Sequence, residues 1–336
     1  MKILIATDSF DPQINGVVTT LKAYERELKK QGDEVMFVEP NMFFNIPTPG
    51  YKEIPISFPI NIKRMIKEFK PDAIHVHTEG SIGIATGRVC RKLGIPYTTG
   101  YATHFAEMVH KKYHIPEKWT WWYLRKHHNC ASRVMVATDA LVDELHSFGI
   151  QKVVTVGKGI DTTLYNSSHR NTFTMPFEGP IWLYVGRISV EKNLEEFLKL
   201  DLPGTKVCVG RGPNLNQYKK KYPYTQFVGH KTGVALAQWY ANSDVFVFPS
   251  RWDTFGLVML ESGACGTPVA AYPVRGPLQA IKHGVSGYLH DDLRTACLAT
   301  QTLDRKKVEE FVRDTFCWTR VINNVKKNLE IIQWSY

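Results

Sequence analysis

Short β-branched and apolar runs alternate with longer amphipathic runs along the chain. The N-terminal part reads KILIAT, then VVTTLKAYERELKKQG, then EVMFVEP. In the middle run, Val17, Leu21, Tyr24 and Leu28 recur near helical spacing, and the run stops at Gly32. Strands that alternate with helices in this way predict right-handed βαβ units and a parallel, doubly wound sheet.

The alternation stops once and then resumes. Residues 160–180 are polar and aperiodic, which predicts a linker, and beyond them IWLYVGR, KVCVGRG, TQFVGH, DVFVFPS and PVAAYP again have the pattern of strands. We therefore expect an N-terminal domain at 1–165, a linker at 166–179, a C-terminal domain at 180–318, and a terminal helix at 319–336 that can pack back on the first domain. The predicted fold class is α/β, with two doubly wound Rossmann-like domains that face each other across a cleft.

The composition is that of an ordinary globular protein. The chain has 336 residues, of which 43% are hydrophobic and 22% charged, and no apolar run reaches the roughly 20 residues that span a bilayer. Asp8 and Asp11 interrupt the first apolar run before a signal-peptide core can develop. The six cysteines are scattered and form no CxxC pair. These features favour a cytoplasmic protein with reduced, mostly buried thiols.

The net charge of +10 is divided equally between the halves of the chain, with 22 Lys/Arg against 17 Asp/Glu in residues 1–170 and 20 against 15 in the rest. Two segments of the first domain are nevertheless locally rich in positive charge. Residues 111–133 carry six Lys/Arg against one Glu, together with three Trp and two Tyr, and residues 61–70 carry four Lys/Arg against one Glu. Nucleic acid, an anionic bilayer surface or a charged small substrate could each explain this excess. For 111–133 the alternative is a helix with an aromatic core face and a solvated basic face.

Cations and glycines follow the predicted strands of the second domain. In YVGRISVEKN, Arg187 leaves a strand through Gly186, and Lys192 follows five residues later. An Arg fork and a Lys point charge suit a diphosphate. The alternative is that Arg187 and Lys192 are solvated side chains that form salt bridges with Glu191 or Glu195.

A second glycine-rich strand end is VGRGPN, with Gly210, Arg211 and Gly212. It can bring a flat base against backbone groups, although a tight turn would explain the same residues.

The stretch WDTFGLVMLE holds two acids, Asp253 and Glu261, at a spacing of eight. A helix is expected to begin near Phe255 to Leu257, where free amides can take a phosphate. Glu261 then falls in the second turn among apolar residues, where ribose hydroxyls are suitable partners for a carboxylate. The alternatives are an Asp that serves only the helix dipole and a Glu on the solvent face.

The loops of the first domain carry weaker signals. Asn15 and Gly16 lie just before a predicted helix. This position suits an anion-binding site, and an ordinary strand-to-helix turn would explain it equally well. His104 comes directly after a strand, and His77 follows the strand that contains His75. No metal-ligand spacing, no catalytic Ser or Cys set and no GxGxxG fingerprint is present.

Taken together and in this order, from Met1 to about Leu289, these loops resemble the family 4 retaining glycosyltransferases of GT-B fold, especially members acting on lipid or cell-envelope acceptors. Those members include α-mannosyl-, α-glucosyl- and sulfoquinovosyl-transferases. The resemblance implies donor contacts from Asn15, Gly16, Gly186, Arg187, Lys192, Gly210, Arg211, Gly212, Asp253, Thr254, Phe255, Gly256, Leu257 and Glu261. It implies catalytic roles for His104, Arg187, Lys192 and Asp253, and an acceptor side at His77, Glu79, Tyr101 and His104. Asp253 departs from the pattern, which usually has Glu.

The function implied by the resemblance is transfer of a hexose from a UDP- or GDP-linked sugar to a glycan or lipid. The expected mechanism retains configuration by same-face attack, with a diphosphate leaving group and neither metal nor cofactor. A peripheral position at the inner face of a membrane, through residues 61–70 and 111–133, is expected with it. The alternatives are a nucleotide-sugar epimerase or hydrolase of the same architecture and a basic nucleic-acid-binding protein, the latter disfavoured because no recognition motif occurs.

Overall fold

The computed structural model describes residues 1–13, 15–48, 51–102, 106, 109–110, 113–251 and 255–334, and only the backbone of 51–54. The chain divides into two compact units. Unit 1 comprises Met1–Lys158 and Trp318–Tyr336, and unit 2 comprises Gly159–Cys317.

Each unit contains one parallel sheet of six strands, and unit 1 adds an antiparallel hairpin. The strands of unit 1 are β1 Lys2–Ala6, β2 Glu34–Val38, the hairpin β3 Asn45–Thr48 and β4 Tyr51–Ser57, β5 Ala73–Val76, β6 Thr98–Tyr101, β7 Arg133–Val136 and β8 Val153–Thr155. Those of unit 2 are β9 Ile181–Val185, β10 Thr205–Val209, β11 Gln226–Gly229, β12 Val245–Phe248, β13 Val269–Ala271 and β14 Gly287–Leu289.

The helices connect successive strands and lie on both faces of the sheets. In chain order they are α1 Gly16–Lys30, α2 Ile62–Phe69, α3 Ser81–Leu93, α4 Glu117–His128, α5 Asp139–Ser147, α6 Leu194–Leu198, α7 Leu215–Lys221, α8 Gly233–Ala241, α9 Leu257–Ala264, α10 Arg275–Ala280, α11 Leu293–Thr300, α12 Arg305–Phe316 and α13 Trp318–Asn328. Within the described part of the chain, no helix is both long enough and apolar enough to span a membrane.

The two sheets differ in strand order. Unit 1 has the order β2-β1-β5-β6-β7-β8, and unit 2 has β11-β10-β9-β12-β13-β14. Counted within its own unit, the second order is the 3-2-1-4-5-6 arrangement of dinucleotide-binding folds, and the first begins 2-1-3. The order therefore reverses between β1 and β5 in unit 1 and between β9 and β12 in unit 2. Open α/β sheets bind ligands at the carboxyl ends of the strands at such points.

The last helix belongs to unit 1, although it comes last in sequence. In α13, Trp318, Val321 and Ile322 pack with Ile3 and Ile5 of β1 and with the apolar side of α1. The rings of Tyr24 and Trp318 meet edge to face at 6.0 Å. The apolar positions of α13 thus cover one face of the first sheet, while residues 329–334 continue without helix.

The chain enters unit 2 before the predicted linker ends. Ile160 and Tyr165 are buried in the core of unit 2, and the Ile160 amide donates to the carbonyl oxygen of Phe316 at 2.8 Å. The division therefore falls at Lys158 and Gly159, earlier than the predicted boundary at 165. Burial of these two side chains in a largely polar stretch is the physical reason.

Candidate functional site

A cavity of about 780 Å³ opens in unit 2 at the carboxyl ends of its strands. Three neighbouring strands, β11, β10 and β9, end at its wall, and α9 supplies a further side. Its lining residues are Tyr165, Val185, Gly186, Arg187, Val209, Gly210, Arg211, Gly212, Pro213, His230, Lys231, Thr232, Gly233, Leu236, Val258 and Glu261. Its volume is in the range typical of small-molecule sites.

Glycines allow the loops after β9 and β10 to touch. A Cβ on Gly210 would lie 1.9 Å from the carbonyl oxygen of Gly186, and one on Gly212 would lie 2.2 Å from that of Ile188. The Ile188 amide donates to the Arg211 carbonyl at 3.0 Å, so the two loops are also hydrogen-bonded. Side chains at positions 210 and 212 would separate these loops, and glycine therefore defines this wall of the cavity.

The cavity wall is rich in positive charge. Among the described lining residues, Arg187, Arg211 and Lys231 stand against one carboxylate, that of Glu261. The Arg187 side chain is 64% exposed and lies 3.6 Å from Glu191, the partner considered in the alternative interpretation. An exposed pair of this kind contributes at most about 1 kcal/mol. A phosphate, which accepts the guanidinium fork at two oxygens, can replace it.

Glu261 lies at the other side of the same cavity. The Tyr240 hydroxyl donates to its carboxylate at 2.8 Å, and Tyr165 forms a second hydroxyl contact with it. Burial raises the pKa of Glu261, and the two tyrosine hydroxyls partly oppose that rise. A carboxylate held by neutral donors in a partly desolvated wall can accept further hydroxyl groups from a ligand.

Close contacts at two glycines fix the position of helix α9, which carries Glu261. Gly256, at φ 77°, caps the helix, and a Cβ there would lie 2.8 Å from Cε of Met259. At the far end, a Cβ on Gly263 would lie 2.6 Å from Cγ2 of Val312 on α12. Val258 and Glu261, three residues apart, therefore face the cavity from a helix whose position is tightly constrained.

Other predicted donor residues lie outside the cavity lining. Phe255 is buried in the core, where its ring meets that of Phe316 at 6.1 Å. Leu257 begins α9. Lys192 ends a 3-10 turn that follows the strand end, and the side-chain amide of Asn193 ties that turn to the Pro249 carbonyl at 3.1 Å.

Three predicted site residues, His104, Asp253 and Thr254, lie outside the described residues. Their assigned roles stay predictions.

Asn15 and Gly16 begin α1 in unit 1. The Asn15 side-chain oxygen accepts the amides of Val17 and Val18, each at 3.0 Å, so Asn15 acts as the helix N-cap. A Cβ on Gly16 would meet nothing within 4 Å, so packing in the described structure does not require glycine there.

The predicted acceptor-side residues lie at the end of β5 and β6 and are deeply buried. His77 and Glu79 are each 5% exposed, and Tyr101 is 2% exposed. His128 lies 3.5 Å from Glu79, and its ring meets Tyr101 edge to face at 6.0 Å. The structure thus brings these residues together, but in a closed cluster.

Sequence reasoning missed the two tyrosines that hold Glu261, and it missed the segment from His230 to Gly233. Tyr165 lies in the stretch interpreted as linker, and Tyr240 is one aromatic among several on an apolar helix. The only sequence signal for the segment from His230 to Gly233 is that it follows a short strand ending in glycine. The loops after β9 and β10, which the sequence did identify, also have a glycine at the strand end.

Known protein families match both halves of the chain. The model described as Glycosyltransferase Family 4 matches residues 14–164, and the model described as Glycosyl transferases group 1 matches residues 168–299. The GDP-mannose-dependent alpha-mannosyltransferase of Corynebacterium glutamicum is 28% identical over 320 residues, which cover 87% of this chain and 77% of that protein. The sulfoquinovosyl transferase of Arabidopsis thaliana is 29% identical over 310 residues, covering 82% and 61%.

Solved structures resemble the whole chain. Anabaena HepE in complex with UDP superimposes with a TM-score of 0.68 at 16% identity, covering 97% of this chain and 99% of HepE. A likeness at this identity concerns the fold, and it confirms the predicted fold class of two Rossmann-like domains.

Proposed function

The chain belongs to glycosyltransferase family 4, and on this premise we propose that it is a retaining hexosyltransferase. It would transfer a hexose from a UDP- or GDP-linked sugar to a glycan or lipid. The observation that carries the proposal is the unit 2 cavity, which combines three cations, close-packed glycine loops and a tyrosine-held carboxylate. A nucleoside diphosphate has the matching groups, since it offers a diphosphate, a flat base and a ribose diol.

In the proposed assignment, Glu261 accepts hydrogen bonds from the ribose hydroxyls. Arg187 binds the diphosphate, with Lys192 on the following turn as a second cation. The loop at Gly210 and Gly212 lies against the base or ribose. A charge-assisted hydrogen bond from hydroxyl to carboxylate contributes about 1.5–3 kcal/mol.

The proposed chemistry is same-face substitution at the anomeric carbon. The bond from this carbon to the diphosphate oxygen breaks, and the acceptor oxygen bonds to the same face through an oxocarbenium-like state. The acceptor proton passes to the leaving phosphate oxygen. Negative charge grows on the diphosphate during this step, and fixed cations such as Arg187 stabilise it more in the transition state than in the ground state. Metal independence is part of the proposal.

Two measurements test the proposal. UDP, GDP and ADP are compared for their effect on the melting temperature, because a ligand that binds only the native state stabilises it. Consumption of the corresponding nucleotide-sugar is then followed with and without added acceptor, and we expect turnover that depends on the acceptor. Acceptor-independent consumption would favour the epimerase or hydrolase alternative.

The proposed acceptor is at an anionic lipid surface, and two exposed faces of unit 1 support this. On α4, Trp121 packs inward against Phe148 at 3.7 Å, while Trp119 and Trp122 are 61% and 55% exposed. Nζ of Lys126 lies 5.3 Å from the Trp122 ring centroid. The helix therefore has both an aromatic core face and an outer face of tryptophan and lysine, which is typical of interfacial surfaces.

The second face surrounds α2. A groove of about 500 Å³ is lined by Lys63, Arg64 and Lys67 together with apolar residues, and Phe58 and Ile60 beside it are 49% and 69% exposed. Cations next to exposed apolar side chains fit an acidic headgroup region.

Sedimentation with anionic and neutral liposomes at low salt tests this part. We expect binding to anionic liposomes only, and a clear loss in the double variant Trp119→Ser, Trp122→Ser. Lys219→Ser with Lys220→Ser is the matched control, since α7 is basic but has no exposed tryptophan. If the unsubstituted protein does not sediment with anionic liposomes, the membrane part fails and the transferase part remains.

A further inference from the structure

A row of buried polar side chains lies on one face of β6 in unit 1. Nδ1 of His75 is 3.0 Å from Oγ1 of Thr98, and Nε2 of His75 is 3.2 Å from Nδ1 of His77. All three residues are buried. The row therefore links the first residue of β6 to the first residue after β5.

A second row lies on the opposite face, since consecutive residues of a strand point to opposite sides. Oγ1 of Thr99 is 2.9 Å from Nδ1 of His128, and Nε2 of His128 is 3.5 Å from Oε1 of Glu79. These residues are also buried. Both rows end in the same turn, residues 77–80, which follows β5 where the strand order of unit 1 reverses.

The middle of that turn is fixed from a third side. The hydroxyl of Thr78 donates to Asp8 at 2.8 Å and accepts the Asp8 amide at 2.7 Å. The hydroxyl of Tyr123 on α4 donates to the main-chain carbonyl of Glu79. His77, through Nδ1, and Thr78 thus bond inward, whereas Oε1 of the Glu79 carboxyl is buried beside His128 without a hydrogen bond among the described residues.

The Glu79 carboxyl has no full cation against it among the described residues. The titratable groups that face it are His127, His128 and Tyr123 on α4 and Asp8 after β1. Arg88 and Arg91 on α3 act on Tyr123 and His127. A lone buried carboxylate would cost several kcal/mol. A single proton placed on Glu79 or on His128 removes that cost, because it leaves the pair without net charge.

We propose that Glu79 and His128 share one proton and act as positioning residues, holding the 77–80 turn in the form that binds the acceptor. The inference rests on the proposed transferase function and on the family resemblance, which implies that the acceptor side includes His77, Glu79 and Tyr101. Loss of the proton leaves a buried carboxylate that draws water and displaces the turn. We expect a much smaller effect on donor binding, because the described residues that line the donor cavity belong to unit 2 and none lies in the 77–80 turn.

The direction of the pKa shifts is consistent with this arrangement. Burial raises the pKa of Glu79 to about 7, and burial lowers the pKa of His128 to about 3. The pair therefore holds its one proton below neutral pH, on the Glu79 side, and loses it above neutral pH.

Initial rates between pH 6 and 9 provide the test. With donor saturating, we expect kcat/KM for the acceptor to fall about tenfold per pH unit above roughly pH 7, as a single ionisation requires. With acceptor saturating, KM for the donor should not follow that fall. Glu79→Gln, which is neutral at every pH, should lose the descending limb and retain at least a third of the activity at pH 6. Persistence of the same limb in Glu79→Gln would overturn the proposal.

Two further measurements do not depend on transfer activity or on that variant. Infrared difference spectra of the unsubstituted protein should show one protonated carboxyl that disappears near neutral pH. His128→Gln should shift the midpoint of this signal. A carboxyl signal absent at pH 6, or a midpoint unmoved in His128→Gln, would refute proton sharing. If no acceptor supports transfer while this signal behaves as expected, the proposed function has failed and the shared proton stands.

Discussion

At the carboxyl end of β9, glycine loops leave a cavity of about 780 Å³ lined by three cations, whereas at the carboxyl end of β5 the polar side chains fill the space and bond to one another. Both places are points of strand-order reversal in a parallel sheet. In unit 2, glycines stand where the two loops touch, and the cations line an open cavity. In unit 1, His77 and Glu79 are each 5% exposed.

The difference indicates two ways of using a strand end. An open end whose cations are free of buried partners binds a charged ligand directly, and it should respond strongly to the removal of one charge. A closed end, in which buried polar side chains pack against one another, fixes backbone shape. It should respond to the protonation state of the cluster more than to any single charge. Variants at the two ends can test this distinction.

Arg187→Ala should have the largest effect on catalysis. The guanidinium lines the open end and is proposed to stabilise charge on the leaving diphosphate, and removing one such donor costs about 10²–10³ in kcat. Steady-state rates at saturating donor measure this. Arg187→Lys keeps the charge without the fork and should be intermediate, while Lys219→Ala on exposed α7 should leave kcat unchanged. Near-full activity of Arg187→Ala would remove the diphosphate assignment.

His128→Gln should change the pH dependence of stability at the closed end. Burial lowers the pKa of His128 to about 3 in the folded protein, from about 6.5 in an unfolded chain. The contribution of His128 to the unfolding free energy is therefore fully present above pH 6.5 and is lost as the pH falls toward 3. The unfolding free energy should lose about 1.4 kcal/mol per pH unit for this group over that window.

Glu79 affects the unfolding free energy in the opposite sense. Burial raises its pKa to about 7, so its contribution to stability is present at low pH and is lost as the pH rises through that value. Urea unfolding from pH 4 to 7 should show a shallower acid slope in His128→Gln. His146→Gln, on the exposed side of α5, is the matched control because it also removes one histidine. Equal slopes in the two variants would contradict the closed-cluster description.

Glu261→Gln should separate binding from stability at the open end. We expect nucleotide affinity to fall about tenfold, because the hydrogen bonds from the diol lose their charge assistance. Burial raises the pKa of Glu261, so the charged carboxylate lowers the unfolding free energy at any pH above the pKa of Glu261 in the unfolded chain. The unliganded variant should therefore be more stable than the parent at neutral pH, but not at low pH. Thermal unfolding with and without nucleotide measures both. A variant that loses stability and binding together would make Glu261 a structural residue.

Much of the fold follows from periodicity, and the comparison with known structures confirms its class. The strands ending in YVGR and VGRG are recognisable because a buried run, a glycine and a cation are local features. The β3–β4 hairpin was not predicted, since its strands pair with each other and carry no helix between them.

The candidate site is less accessible to sequence reasoning, because partners depend on packing between distant segments. Tyr165 and Tyr240 meet Glu261 only once α8, α9 and the chain before β9 are assembled. His127 and His128 belong to a basic run that predicts an exposed surface, yet they occupy the inner face of α4. Which face of a helix turns inward depends on Trp121 and Leu124 beside them, and a charge count does not reveal it.

Gly16→Ala should have the smallest effect on stability and addresses the start of α1 in unit 1. A Cβ there meets nothing within 4 Å, and Ala at the first position of a helix should raise the unfolding free energy by about 0.4–1 kcal/mol through the unfolded state. Gly83→Ala is the contrasting variant, because its Cβ would lie 2.0 Å from the Thr78 carbonyl oxygen and should destabilise the chain. If Gly16 closes over the donor diphosphate, as the family resemblance implies, KM for the donor should rise in Gly16→Ala despite the gain in stability. An unchanged donor KM in the stabilised variant would leave Gly16 as the first residue of a capped helix with no contact to the donor.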